Sequence, residues 1–184
     1  MRSYRYISGY SLVELLVSVT IFLCLSSLVI PSFSSINNRR AVSLKVWEIK
    51  RTLEYARSLA ATQNKFITVC VATEDYRCVK QHGSRLLVFD DQYTDYQWVP
   101  KEPLYRDVKL GNAAVKLSVS GRSYVRFDGS GASLGSGNFL VCIPGAEGFG
   151  RQVIFFYSGR IRLSKDSNRD GYDDKSGSSI LCPK

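Results

Sequence analysis

Histidine is almost missing from this chain: His82 is the single one among 184 residues. A zinc centre of Cys/His type is thereby disfavoured, because Cys70 and Cys78 are too far apart for a ligand pair and His82 has no second imidazole to join. His82 sits in a Gln-His-Gly-Ser loop signal, and no nucleophile, base and orienting group can be assembled around it. Neither an enzyme nor a cofactor or metal is expected. Negative charge is also scarce, with 16 Asp and Glu against 25 Lys and Arg and a net charge of +9. The surplus persists once Arg2 and Arg5 are set aside, so the body is basic. Such a surface favours acidic partners, nucleic acid or anionic lipid, although it also serves solubility. Internal repeats and low-complexity segments are absent, and 45% hydrophobic with 12% aromatic residues suffices for a core and excludes disorder.

One stretch lacks charge altogether save for a single acid. Between Ile7 and Asn38 only Glu14 is ionisable to a charge at neutral pH, and Leu15 to Ile30 reads LLVSVTIFLCLSSLVI before Pro31. A helix over 10–30 reaches ~31 Å at 1.5 Å per residue, enough for a hydrocarbon core of about 30 Å. Arg2 and Arg5 ahead of it keep the amino terminus cytoplasmic and send the body across. Ser32-Phe33-Ser34-Ser35 is a poor signal-peptidase site, and bulky Phe22 and Leu23 before Cys24 do not suit lipidation. Cys24 lies within the apolar run, which leaves Cys70, Cys78, Cys142 and Cys182 as an even set in the body. Disulfides in an oxidising compartment are the reading. Of three possible pairings, Cys70 with Cys78, closing a short hairpin-like loop, and Cys142 with Cys182, tethering the C-terminus, are expected.

Beyond a polar junction at 31–40, Val42, Val46, Ile49, Leu53, Ala56 and Ala60 recur at alternating steps of four and three, the signature of one helix face. From Phe66 the pattern turns to short runs rich in Val, Ile, Phe and Tyr between Gly, Asp, Asn and Ser clusters. Strands are expected at 66–72, 85–90, 104–108, 115–118, 124–127, 139–143, 153–157 and 160–163. The fold class is α+β: a long N-terminal helix packed on an antiparallel, two-sheet β domain. Segments 1–9, 10–64 and 65–184 are then leader, helix (spanning at 10–30, amphipathic at 41–64) and globular domain.

Two groups of residues carry a resemblance. Ser8-Gly9-Tyr10-Ser11-Leu12-Val13-Glu14 resembles the prepilin peptidase site of the type IV pilin superfamily, with Pro31 also in the family's pattern. The resemblance implies cleavage after Gly9, methylation of Tyr10 where the family mostly has Phe, an inner-membrane anchor with a periplasmic domain, and assembly with other pilin subunits. It also implies that Glu14 meets the N-terminal amine of a neighbouring subunit, which agrees with the cost of an unpaired charge beside an apolar helix. Thr68-Val69-Cys70-Val71-Ala72, Leu86-Leu87-Val88-Phe89-Asp90, Val125-Arg126-Phe127-Asp128-Gly129 and Phe139-Leu140-Val141-Cys142-Ile143 resemble the GspH/FimT family. That family includes type II secretion pseudopilins, type IV minor pilins, and members that take up DNA in natural transformation.

Between Phe149 and Lys165 there is no acidic residue, but Arg151, Arg160, Arg162 and Lys165 are present. Tyr157-Ser158-Gly159-Arg160 suggests a tight hairpin turn with Gly159 at positive φ. On the strand after it, alternation puts Arg160 and Arg162 on one face, about 6.6 Å apart, and Ile161 and Leu163 toward the core. Two guanidinium groups so placed suit adjacent phosphates of DNA, without reading sequence. Gly159-Arg160-Ile161-Arg162 also resembles the GRxR motif associated with DNA binding in the family. Arg160 and Arg162 are the main candidates, with Arg151 and Lys165 as electrostatic helpers; the alternative is a purely structural pseudopilin or minor pilin. Of Phe155, Phe156 and Tyr157, most are expected in the core and at least one outside. Asp166-Ser167-Asn168-Arg169-Asp170-Gly171 matches the start of a calcium loop, but Gly177 stands where a bidentate Glu belongs, so a polar loop without metal is expected. Asp90 and Asp91 read as turn residues.

Overall fold

The computed structural model describes residues 11–120, 122–143, 148–175 and 178–182, and for 27–35 and 175 the backbone alone. The chain divides into two units, Met1–Asn37 and Asn38–Lys184. Gly9 and Tyr10, the expected cleavage pair, lie outside the described residues. Helix α1 (Leu12–Gln63) begins at Ser11, whose Oγ accepts the Val13 N–H at 3.2 Å. Glu14 stands in the first turn, where a carboxylate meets the positive end of the helix dipole. Leu12, Val13, Leu15, Leu16, Phe22 and Leu23 are all more than half exposed. Among the described residues no helix is long and apolar enough to cross a membrane, and the expected span at 10–30 runs past the described side chains at both ends. The expected junction at 31–40 does not interrupt the helix, whose backbone continues through it. Ser and Asn cost only fractions of a kcal/mol each in a helix, and each residue added to an existing helix brings one hydrogen bond.

In the second unit the periodic face of α1 is fully buried: Val42, Val46, Ile49, Leu53, Ala56 and Ala60 have no exposed surface. Burial of each larger aliphatic among them contributes roughly 1.5–3 kcal/mol relative to exposure. Away from that face, Lys45 pairs with Glu48 at 2.7 Å and Lys50 with Glu54 one turn on. Lys65, just past the helix, reaches Asp90 at 2.8 Å, and this hydrogen-bonded contact raises its pKa above the ordinary lysine value.

Two antiparallel sheets share the core with α1. The first comprises β1 (Ile67–Ala72), β2 (Cys78–Val79), β3 (Arg85–Asp90), β4 (Leu104–Lys109) and β6 (Tyr124–Phe127), in the order β2-β1-β3-β4 with β6 also on β1. The second is β5 (Ala114–Val119), β7 (Gly137–Cys142), β8 (Gly150–Phe155) and β9 (Ile161–Leu163), in the order β5-β7-β8-β9. A short pair, β10 (Asp174–Lys175) with β11 (Ser178–Ser179), lies near the C-terminus. Every residue of β1 is buried, which explains its unbroken apolar run. One face meets the common core; on the other, Cys70, Leu87 and Phe89 pack with Trp98 and Tyr124. Trp98 comes from the connection after β3, where its indole N–H donates to the Glu102 carbonyl at 3.2 Å. Asp90 and Asp91 were expected to be turn residues; instead Asp90 is the last residue of β3 and Asp91 follows it, both buried beside that connection. Asp91 accepts from the Thr68 hydroxyl at 3.1 Å, and its carbonyl accepts from Arg126 at 3.2 Å.

Disulfides join Cys70 to Cys78, linking β1 to β2, and Cys142 to Cys182, tying the C-terminal segment to the end of β7. The tail is further held by the Cys182 N–H donating to the Gly148 carbonyl at 2.8 Å.

Candidate nucleic-acid interface

The β8–β9 hairpin is built by its turn. The Gly159 N–H donates to the Phe156 carbonyl at 2.8 Å and the Phe156 N–H to the Arg160 carbonyl at 3.0 Å. Gly159 has φ of 74°, the left-handed residue that completes a three-residue hairpin loop. The loop is docked as well as turned: a Cβ at Gly159 would stand 1.9 Å from the Gly131 carbonyl oxygen. The Ser133 N–H donates to the Tyr157 carbonyl at 3.0 Å, and the Tyr157 N–H donates to Ser136 Oγ at 2.9 Å. Main-chain bonds on both sides therefore fix the tip while the Tyr157 ring stays 65% exposed.

Register pairs Ile154 with Arg162 and Phe155 with Ile161. Phe155 is fully buried, and Ile161 and Leu163 pack against the core; Arg160 and Arg162 are exposed. The guanidinium carbon of Arg160 lies 5.9 Å from the Phe156 ring centroid and that of Arg162 5.4 Å. Each contact is worth about 0.5–1 kcal/mol at an exposed site, and together they hold two like charges side by side. Among the described residues no carboxylate pairs with either arginine. The arrangement sets two exposed guanidinium groups side by side on a hairpin whose tip is held by hydrogen bonds. Phe156 was not singled out in the sequence as part of the site, although alternation set it on the opposite face from Phe155, which the structure buries.

Arg151 does not join this face. It shares the strand parity of Val153 and Phe155, and its Nε donates to Asp173 at 2.8 Å while Nη1 donates to Ser43 Oγ at 3.3 Å. Its charge is engaged by Asp173, so its role as an electrostatic helper is corrected to a structural tie between β8, α1 and the segment before β10. Lys165 is exposed but lies beyond the end of β9, where its carbonyl accepts the Asp174 N–H at 3.0 Å; alternation sets it off from Arg160 and Arg162.

The loop at 166–174 closes on its own backbone. Asp166 accepts the N–H groups of Arg169 at 2.6 Å and Gly171 at 3.0 Å. Asp170 accepts from the Ser179 hydroxyl and the Tyr172 N–H, both at 2.8 Å, and these bonds hold its carboxyl below the usual carboxylate range. Among the described residues the acids that converge closely enough to hold a cation are instead Asp91, Asp95 and Glu102. Glu102 there accepts the Gln92 N–H at 2.9 Å, closing the loop after β3.

The family of the chain follows from both of its parts. The model of the type II transport protein GspH matches residues 46–169, and a prokaryotic N-terminal methylation motif matches residues 4–30. No curated protein sequence matches. Among solved structures, the type IV minor pilin FimU of Pseudomonas aeruginosa strain PAO1 is similar in two crystal forms. One has 22% identity and a TM-score of 0.51, covering 69% of this chain and 94% of that one. The other has 20% identity and a TM-score of 0.51, covering 73% and 95%. At that identity the likeness is one of fold: a helix laid on two antiparallel sheets. With the methylation motif at its head and the GspH match running from α1 to beyond β9, the chain belongs to the GspH/FimT family of type IV pilin-like proteins.

Proposed function

We propose that this minor pilin or pseudopilin binds DNA without sequence preference through Arg160 and Arg162, serving DNA uptake in natural transformation. The observation that carries the reading is the pair of exposed guanidinium groups gathered on Phe156 with no carboxylate partner among the described residues. Guanidinium forks suit phosphate oxygens, and contacts confined to phosphates position DNA without reading its bases. The N-terminal events supply the setting: prepilin peptidase cleaves after Gly9, Tyr10 is methylated, the helix anchors in the inner membrane, and Glu14 meets the terminal amine of a neighbouring pilin. The two disulfides agree with a periplasmic domain.

The test is a salt-titrated binding assay on the full chain in an uncharged detergent. With two to four phosphate contacts, log affinity against log salt has a slope of about −2 to −4, at micromolar or weaker affinity. Changing Arg160→Ala together with Arg162→Ala removes most binding and keeps the fold, since both side chains face solvent and the loss is confined to their two contacts with Phe156, about 1–2 kcal/mol of stability. Arg160→Lys keeps part of the affinity if charge alone counts and little of it if a fork is used. Equal binding by the double variant, or no salt-sensitive binding by the parent, makes the chain a purely structural fibre subunit.

A further inference from the structure

The arginine pair lies at one edge of a larger surface. The sheet β5-β7-β8-β9 buries one face against the core through Val115, Leu117, Phe139, Val141, Val153 and Phe155. The opposite face is set by register: Ser118 pairs with Asn138, Asn138 with Ile154, and Ile154 with Arg162, one row across all four strands. In the next row Lys116 pairs with Leu140, and Leu140 with Gln152. The outward positions of these four strands contain no Asp or Glu. Their cations stand at the two edges, Arg162 on β9 with Arg160 just before it, and exposed Lys116 on β5. Among the described residues no carboxylate pairs with Lys116. The Cys142–Cys182 disulfide sits over Gly150, where a Cβ would meet Cys182 Sγ at 2.8 Å, so the described part of the C-terminal tail covers the end of the face remote from the hairpin; next to it Gln152 is buried, while Asn138, Leu140 and Ile154 are partly exposed.

We infer that Lys116 is a third phosphate-binding residue and that the outer face of this sheet, apart from the end the tail covers, receives a DNA duplex. The inference rests on the DNA-binding reading above and extends it to a substrate form. Three strand steps of about 4.8 Å, with two residues of offset along the strand, put Lys116 roughly 16 Å from Arg162. Long side chains on both edges leaning inward match the two backbones that flank a major groove about 12 Å wide. The uncharged row between them passes over the groove. A single strand has one backbone and engages one edge at a time, so Lys116 distinguishes duplex from single strand.

The experiment measures binding of the full chain, in uncharged detergent, to a random-sequence duplex of about 20 base pairs and to one of its strands, by fluorescence anisotropy across a salt series. Lys116→Ala is expected to make the duplex slope shallower by about one unit and to weaken duplex binding several-fold, with single-strand binding unchanged. Ser118→Lys, adding a cation on the same row, is expected to steepen the duplex slope by about one unit. An unchanged duplex slope in Lys116→Ala overturns the inference, as does an equal loss for duplex and single strand. The double arginine variant runs alongside: if it loses binding while Lys116→Ala does not, the arginine reading stands and the sheet-face track falls. A parent chain with no salt-sensitive binding removes both.

Discussion

The glycine that opens the arginine motif is expected to be a structural requirement, separable from the charges that follow it. Gly159→Ala introduces two costs. The first is the left-handed backbone at φ 74°, about 1–2 kcal/mol for a residue with a Cβ. The second is steric: the new Cβ would stand 1.9 Å from the Gly131 carbonyl oxygen and 2.9 Å from Arg57 Nε. Those two atoms are themselves hydrogen-bonded at 3.0 Å, so the loop must move and that bond, worth about 1 kcal/mol, is strained or lost. The sum is about 3 kcal/mol, which lowers the melting temperature of a domain this size by about 6–12 °C. Gly111→Ala supplies the control. Gly111 has φ of 64° and nothing within 4 Å of its Cβ position, so it carries the backbone cost alone, about 1 kcal/mol. Chemical denaturation of parent and both variants under non-reducing conditions measures the difference. If Gly159→Ala is no more destabilised than Gly111→Ala, the docking of the hairpin tip on Gly131 is refuted.

Removing the disulfide with its 40-residue separation by Cys142→Ala with Cys182→Ala is expected to cost about 4 kcal/mol. Removing the one with its 8-residue separation should cost about 2.5 kcal/mol, both figures following loop-closure entropy; non-reducing peptide mapping that joins Cys70 to Cys142 or Cys182 would contradict the pairing. Asp128 accepts from the Ser130 hydroxyl at 2.6 Å and from the Ser130 and Ala132 N–H groups, and these bonds, the Ser130 hydroxyl foremost, lower its pKa from the ordinary 3.8. Because the folded-state pKa is the depressed one, its contribution is present above the unfolded value and lost as pH falls through the folded one; Asp128→Asn should flatten that part of the acid limb in a urea-denaturation pH series. Mass spectrometry of the protein from cells with active prepilin peptidase should find methylated Tyr10 at the amino terminus, and an intact Met1 would count against the cleavage.

The local periodicities were readable without coordinates. Steps of four and three named six of the seven buried positions described in α1, Thr52 being the other, and alternation named which of Arg160 to Leu163 face solvent, because both patterns follow from backbone geometry over a few residues. Turn chemistry placed Gly159 at positive φ for the same reason. The short strands β2, β10 and β11 were missed, since two residues carry no period. Parity also held the fate of Arg151, an odd number of positions from Phe156, but local charge density outweighed it in the sequence reading. What neutralises Arg151 is Asp173, which only the fold brings beside it. Tertiary structure likewise decided that Phe156 gathers both arginines, that the connection after β3 covers the second face of β1 and buries Asp90 and Asp91, and that Lys116 shares a face with Arg162 three strands away. A strand's own residues fix which side chains share a face; which strand lies beside it, and which charge meets which, depends on pairings between distant segments, and these are settled only when the sheets close over a common core.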